Sequence, residues 1–181
     1  MYGTLQWAIR KAMDTPDNCI IEFNIPGTGP FTILLNYTLP AIENKSATGY
    51  STGSPPLENK FITIDATTQP GYSPENPQII LDGGNLQITG LYFNNVKNSG
   101  VKGMIFKNFI SRALLFNYCD SFEISNNYFI NNGSPASQDA PFSIRITTSN
   151  YGIIKGNFIG MYPAGVVVGN NANGIGLTDS G

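Results

Sequence analysis

The sequence predicts an all-β solenoid, a coil of short parallel strands closed at its N-terminus by one amphipathic helix. Three observations carry that expectation. First, a unit recurs: residues 101–110, 122–130 and 152–159 align on Asn108, Asn127 and Asn157. Ile105, Ile124 and Ile154 stand three places upstream, and Phe109, Tyr128 and Phe158 one place downstream. The steps are 19 and 30 residues; a unit of about 20 residues cannot bury its own apolar face and must stack on its neighbours. Second, that length suits three short strands per turn, whereas hairpin dipeptides are scarce. Asp82-Gly83 and Asn132-Gly133 occur, but neither sits between matched alternating strands. Third, like residues recur at like places, as stacking at about 4.8 Å requires. Asn there passes amide hydrogen bonds from rung to rung and tolerates a left-handed bend, while Phe and Ile make apolar ladders.

The elements follow in order. Residues 1–18 form the cap: over residues 4–13, Leu5, Ile9, Ala12 and Met13 make one apolar stripe, widened by Trp7 and Ala8, and Pro16 ends the helix. Such a helix covers the open edge and apolar end of the first rung. Residues 19–85 form irregular first coils. Ile21, Phe23 and Ile25 alternate with polar neighbours over residues 20–25, and Pro26-Gly-Thr-Gly-Pro30 turns the chain. Further strands are expected at residues 31–35, 39–42, 61–64 and 78–82, with loops at 43–60 and 68–74. Residues 86–181 hold the repeat coils, starting with a strand at residues 88–93, with an insertion at 131–141. Asn173 to Gly181 reads as the opening of a further repeat, so the chain reads as one β-helix domain cut from a longer polypeptide.

Composition narrows function. A hydrophobic share of 41% suits a folded domain, and 12% charged residues leave Asn, Ser, Thr and Gly to cover the surface. The net charge of −2, without a Lys/Arg cluster, argues against nucleic acid. The absence of His rules out imidazole bases, His-ligated zinc and Ser-His-Asp triads. Cys19 and Cys119 read as two separate thiols rather than a disulfide, and no metal-ligand spacing is present. No apolar run of 18 residues spans a membrane, and no signal peptide is visible in this chain.

An ordered series of segments resembles a known group. Gly3-Thr-Leu-Gln-Trp-Ala-Ile9, Ile21-Glu-Phe-Asn-Ile-Pro-Gly27, Leu39-Pro-Ala-Ile42, Ile64-Asp-Ala-Thr-Thr-Gln-Pro-Gly-Tyr72 and Ile80-Leu-Asp-Gly83 follow one another in sequence. Together with Asn157-Phe-Ile-Gly160 and Asn173-Gly-Ile175, the series resembles the N-terminal region of bacterial secreted right-handed parallel β-helix repeat proteins, the pectin-lyase-like superfamily. Asp65-Ala66 departs from the aspartate-glycine pair usual after the third strand of that group. The resemblance implies a right-handed parallel β-helix, export to the medium or cell surface, and further domains in the same polypeptide. It implies polysaccharide or cell-surface glycans as partners.

Enzymes of that superfamily eliminate or hydrolyse uronate polymers. The lyases need carboxylates to hold Ca²⁺ and an Arg or Lys base; the hydrolases need gathered carboxylates. The candidate carboxylates are Asp65, Asp82, Asp120, Glu123 and Asp139, and the candidate bases Lys102, Lys107, Arg112, Arg145 and Lys155. Arg145, alternating with Ile144 and Ile146, points out of a strand; Lys107 and Lys155 are placed near equivalent rung positions and on one face with it. No paired carboxylates back these bases, so the charges read as solvated and Asp82 and Asp120 as turn residues. The weak catalytic candidates are thus Arg145, Lys107, Lys155 and Asp120. Tyr72, Tyr151 and Tyr162, in loops, are the candidate sugar platforms, whereas Tyr128 reads as part of a ladder. Asn36-Tyr-Thr38, Asn44-Lys-Ser46 and Asn132-Gly-Ser134 match a glycosylation pattern. No cofactor is expected, with Ca²⁺ called for only if the chain is a lyase. The leading expectation is an exported, non-catalytic β-helix scaffold with an adhesin-like role; the alternatives are a polysaccharide lyase or glycoside hydrolase, or a carbohydrate-binding β-helix.

Overall fold

The structure, a computed structural model, describes residues 3–43, 61–134, 141–162 and 165–179. After helix α1 (Leu5–Asp14), the described chain makes five circuits of three strands. Sheet A holds β1 (Cys19–Glu22), β4 (Ile62–Asp65), β7 (Gly100–Lys102), β10 (Glu123–Ser125) and β13 (Ile153–Lys155). Sheet B holds β2 (Phe31–Leu34), β5 (Ile79–Leu86), β8 (Met104–Phe109), β11 (Tyr128–Ile130) and β14 (Phe158–Ile159). Sheet C holds β3 (Ile42–Glu43), β6 (Thr89–Asn94), β9 (Arg112–Asn117), β12 (Phe142–Thr147) and β15 (Asn173–Thr178). Neighbouring strands in each sheet pair in parallel, which makes the fold a parallel β-helix.

Parallel pairing in register puts like residues on top of one another. Ile21, Ile64, Val101, Ile124 and Ile154 form one column through sheet A. Phe93 stacks on Phe116 at 4.4 Å between ring centroids, and Phe106 on Phe129 at 5.0 Å, each pair within 6° of parallel. These rings are fully buried, and each stacked pair adds about 0.5–1.5 kcal/mol to its area burial. Helix α1 starts at Thr4, whose hydroxyl accepts from Trp7 N–H at 3.2 Å. Its Leu5, Ile9 and Ala12 join the core beside Ile21, Phe23 and Ile42. Trp7, expected on the apolar stripe, is instead exposed on the flank of the helix.

The register corrects the sequence alignment. Asn127 and Asn157 are equivalent, because Tyr128 pairs with Phe158, but Asn108 belongs to another corner. Ile130 sits over Lys107, so the partner of Asn108 is Asn131, whose amide donates to Asn108 Oδ1 at 2.6 Å. The position beneath Asn127 is occupied by Met104. The regular coil is therefore 23 residues, as from Val101 to Ile124 or Phe93 to Phe116. It lengthens to 30 from Ile124 to Ile154, the extra residues falling between Asn131, the counterpart of Asn108, and Phe142, the counterpart of Arg112. The error has a local cause: an Asn followed by an aromatic residue occurs at two different corners, so the short motif does not say which.

Buried amides hold those corners. Asn127, with no exposed surface, accepts from Met104 N–H at 3.0 Å and donates to Val101 C=O at 3.0 Å, while its own N–H donates to Asn157 Oδ1 at 2.9 Å. At the next corner Asn132 accepts from Phe109 N–H at 3.1 Å and donates to Phe106 C=O at 3.1 Å. Asn170 continues that ladder, accepting from Asn132 N–H at 2.8 Å. Each such side chain satisfies backbone groups that the turn takes out of the sheet.

The first coils show a further substitution of side chain for strand. The alternating segment predicted over residues 20–25 ends as a strand at Glu22. Phe23 N–H then donates to Thr68 Oγ1 at 2.9 Å, and Ile25 is bracketed by Gln69, whose amide both accepts from its N–H at 2.8 Å and donates to its C=O at 2.9 Å. At the other end of the coil, Ile175 and Leu177 pair in register with buried Ile144 and Ile146 yet are exposed, because no described strand stacks beyond β15.

Replacing Phe116 with Ala is expected to lower unfolding free energy by about 3–5 kcal/mol, since the cavity opens inside the aromatic stack. Asn127→Ala removes one acceptor and one donor from buried backbone and is expected to cost about 1–3 kcal/mol for each group left unpaired. Urea titration measures both. An Asn127→Ala protein as stable as the parent would show that the amide ladder is dispensable.

Candidate functional site

A polar groove with a volume of about 310 Å³ lies on the outer face of sheet A. Its floor is Gly100, at the centre of a row that runs Thr63, Gly100, Glu123 across three rungs. A methyl group on Gly100 would lie 2.4 Å from the Glu123 carbonyl oxygen, so only glycine permits this close strand approach. The missing side chain is what opens the groove. Asp65, Lys102, Ser125 and Glu123 line it, with Ile20 at one end.

From Asp65 onward the charges alternate in sign from rung to rung, through Lys102, Glu123 and Lys155, whereas Glu22 lies over Asp65. Lys102 Nζ lies 2.9 Å from Asp65 Oδ2, and Lys155 Nζ 3.3 Å from Glu123 Oε1. Ser125 donates its hydroxyl to Glu123 Oε1 at 2.7 Å. Asp65 also accepts from Thr67 N–H at 3.0 Å, which fixes its rotamer. The Ser125 hydroxyl, and then Lys155 and Lys102, hold the Glu123 carboxyl below its usual value against a smaller opposing effect of burial. Glu123 is thus a carboxylate at neutral pH, shifted away from what a proton donor needs. The groove offers hydrogen-bond donors and acceptors to a polar ligand, and its Asp65 and Glu123 are already matched to cations.

The structure separates the candidate bases. Lys155 lies on sheet A, Lys107 on sheet B and Arg145 on sheet C, three different faces rather than the single face expected. Lys107 Nζ sits 3.3 Å from Asp82 Oδ2. Asp82 in turn accepts from Gly84 N–H and from the Asn108 amide, both at 2.9 Å, as the turn reading predicts. Burial works to raise the Asp82 carboxyl, but Gly84, Asn108 and Lys107 outweigh it and hold it below its ordinary value. Asp120 stands at the corner between sheets C and A, 3.9 Å from Lys97 Nζ and 3.4 Å from the Asn150 amide. Arg145 points outward, as expected, and its guanidinium lies 5.5 Å from the Phe142 ring centre. Arg112, on β9, occupies the outward row of sheet C one rung below Phe142. Asp139 and Asn44 lie outside the described residues.

The tyrosines separate likewise. Tyr72 is half-buried against sheet B, where a methyl on Gly103 would meet its ring at 3.0 Å, and its hydroxyl is enclosed without a hydrogen-bond partner among the described residues. Burial, and then Tyr128 close by, pushes its phenol above the usual tyrosine pKa. Tyr162 packs on the outer cluster of Ile105, Tyr128 and Ile130. Of the three candidate platforms Tyr151 is the exposed one, 82% accessible at the corner that follows sheet C. Tyr128, expected in a ladder, does stack on Phe158 at 4.6 Å, but on the outer side of sheet B, with its hydroxyl donating to Pro74 C=O at 2.9 Å. Both cysteines are free thiols, and burial pushes that of Cys119 up to about 11. Among the described residues no cluster of three or more acidic or Cys side chains stands ready for a metal ion, and no helix is long and apolar enough to cross a membrane.

Gly100 and the ion pairs are the features of these faces that the sequence did not disclose: a lone glycine in a strand is a faint signal, and the pairs join residues a full coil apart. No protein-family model, curated protein or solved structure matches this chain.

Gly100→Ala is expected to lower the melting temperature by several degrees, because the added carbon must displace a backbone carbonyl; an unchanged melting curve would show that the strands can part there at no cost. Asp82 carries a lowered folded-state value, so its contribution to stability is full above the unfolded carboxyl value of 3.8 and is lost as pH falls through the folded value. Asp82→Asn should therefore flatten the loss of stability on acidification below that point, read by denaturant unfolding at neutral and acid pH.

Proposed function

We propose that this chain is a non-catalytic β-helix scaffold, exported and displayed at a cell surface, and similar in kind to the secreted proteins of the pectin-lyase-like superfamily. The observation that supports this reading best is the dispersal of the candidate bases over three faces, with Lys107 and Lys155 each bound to a carboxylate. Elimination needs a base and a charge-neutralising group on one side of a sugar ring; hydrolysis needs two carboxylates, one of them protonated. Neither arrangement is assembled among the described residues, and the Glu123 carboxyl moves in the wrong direction for an acid. Export accords with a chain in which only 12% of residues are charged.

The competing reading is a polysaccharide lyase or hydrolase, and one observation favours it: the groove over Gly100, flanked by Asp65 and Glu123. Incubation with a panel of uronate polymers, followed for unsaturated products and new reducing ends, separates the two. No turnover is expected. Turnover that disappears in Glu123→Gln or in Arg145→Ala would replace the scaffold with an enzyme.

A further inference from the structure

Helix α1 packs Leu5, Ile9 and Ala12 into the apolar end of the first coil but leaves the strand edge of that coil bare. Backbone groups alternate in direction along it. Cys19 N–H donates to Phe61 C=O at 3.0 Å and Phe31 N–H to Gln78 C=O at 2.7 Å, both toward the second coil. Phe23 and Ile25 face the same way, onto Thr68 and Gln69. The intervening residues Ile20, Glu22, Asn24, Thr32 and Leu34 therefore turn their N–H and C=O groups away from the second coil. β1 and β2 are the outermost strands of sheets A and B, and among the described residues nothing bonds to those backbone groups.

A groove of about 560 Å³ runs along this edge. One wall is the edge itself, residues 21–25 and 32–34; the other is the start of α1, with Leu5, Trp7 and Ala8. Ile20 and Leu34, on the same two strands, leave more than half of their surface in solvent. The edge is also acidic. Glu22 lies in register over Asp65, whose own charge is matched by Lys102 at 2.9 Å, and no described cation pairs with Glu22. A strand added to β1 would set a side chain about 4.8 Å from Glu22. A cation there matches the outermost carboxylate, whereas an acid would be the third in a row.

We propose that the edge of β1 and β2 takes up an extended segment of a partner protein by strand addition, with a Lys or Arg over Glu22. Free N–H and C=O groups at alternate residues are what an extended backbone completes. Side chains alternate along that segment, so the basic residue points outward beside Glu22 and its two neighbours turn inward, toward Leu5 and Trp7. Those neighbours are apolar. A compact apolar ligand would fill the groove but leave the edge groups unpaired. A second copy of this chain fits less well, because Lys155 on its own outermost strand β13 is already held by Glu123. The inference is independent of the scaffold reading and holds whether or not the chain turns over polysaccharide.

Trp7 is the only tryptophan of the chain and lines the groove, so its fluorescence reports occupancy. The test titrates the full chain with short synthetic peptides: valine alternating with lysine, valine alternating with glutamate, and the lysine peptide with its backbone amides N-methylated. The lysine peptide should shift Trp7 emission saturably and more weakly as salt is added. The glutamate peptide should bind less tightly and the N-methylated one not at all. Glu22→Lys should weaken the lysine peptide by about threefold or more and reverse the order of the two charged peptides. Glu75→Lys, at an exposed position away from the edge, should leave that order unchanged. Thr32→Pro removes a free N–H from an edge strand, where proline is tolerated, and should lower affinity without touching the bonds to β5. No response to the lysine peptide, equal binding of all three peptides, or an unchanged order in Glu22→Lys overturns the proposal. Self-association of the chain that Thr32→Pro abolishes, with no peptide bound, does so too and assigns the edge to a second copy.

Discussion

Parallel strands held one hydrogen-bonded spacing apart, about 4.8 Å, oblige every side chain to sit on its counterpart in the next rung. Everything else in this protein follows from that constraint. Apolar residues satisfy it directly, since an isoleucine on an isoleucine or a flat ring on a flat ring packs without a gap. The column from Ile21 to Ile154 and the Phe93–Phe116 and Phe106–Phe129 stacks are the outcome. Small residues answer it differently, by letting strands or rings close in, as Gly100 and Gly176 do.

Polar residues need a complementary partner at that spacing, and the protein uses two solutions. An amide is donor and acceptor at once, so Asn can stack on Asn, or reach the backbone of the next rung, without an unpaired group; Asn127, Asn132, Asn157 and Asn170 do this at the corners. Charges are matched mostly by opposite charges: acid and base alternate along sheet A from Asp65 onward, although Glu22 lies over Asp65, and Lys107 is set over Asp82 on sheet B. These partly exposed pairs contribute little energy each, about 0–1 kcal/mol. Their greater consequence is geometric: each fixes a cation and a carboxylate against one another across neighbouring coils. Arg145 escapes because its counterweight is an aromatic ring, which leaves its hydrogen-bonding capacity open.

The periodic pattern of Ile, Phe and Asn made the stacked architecture legible, because any chain that repeats apolar residues at coil length must pile them up to bury them. The amphipathic spacing of Leu5, Ile9 and Ala12 likewise revealed the cap, and Asp82 before Gly83-Gly84 revealed a carboxylate bonded to a local amide, though it lies where β5 shifts register rather than in a turn. The alignment on Asn108 went astray for the opposite reason. Asn precedes an aromatic at both corners for different reasons. Asn108 itself bends into the left-handed region, whereas at the other corner Asn126 or Gly156 bends and the Asn127 or Asn157 that follows carries the amide. Only the pairing of Ile130 with Lys107 tells the corners apart. Thr68 and Gln69, which stand in for a strand beside Phe23 and Ile25, gave no sign at all, since their partners lie some 45 residues back.

The sequence by itself thus determined that this chain is a coil of stacked strands with an apolar interior and Asn-bearing corners, because those properties depend on residue type at short and repeated spacing. The tertiary structure decided which face each charge occupies and what it meets there. Lys102 finds Asp65, and Lys155 finds Glu123, across coils whose lengths vary with their loops. One residue more or fewer in a loop between two strands moves the following strand's entry point, and with it the partner of every side chain that points outward.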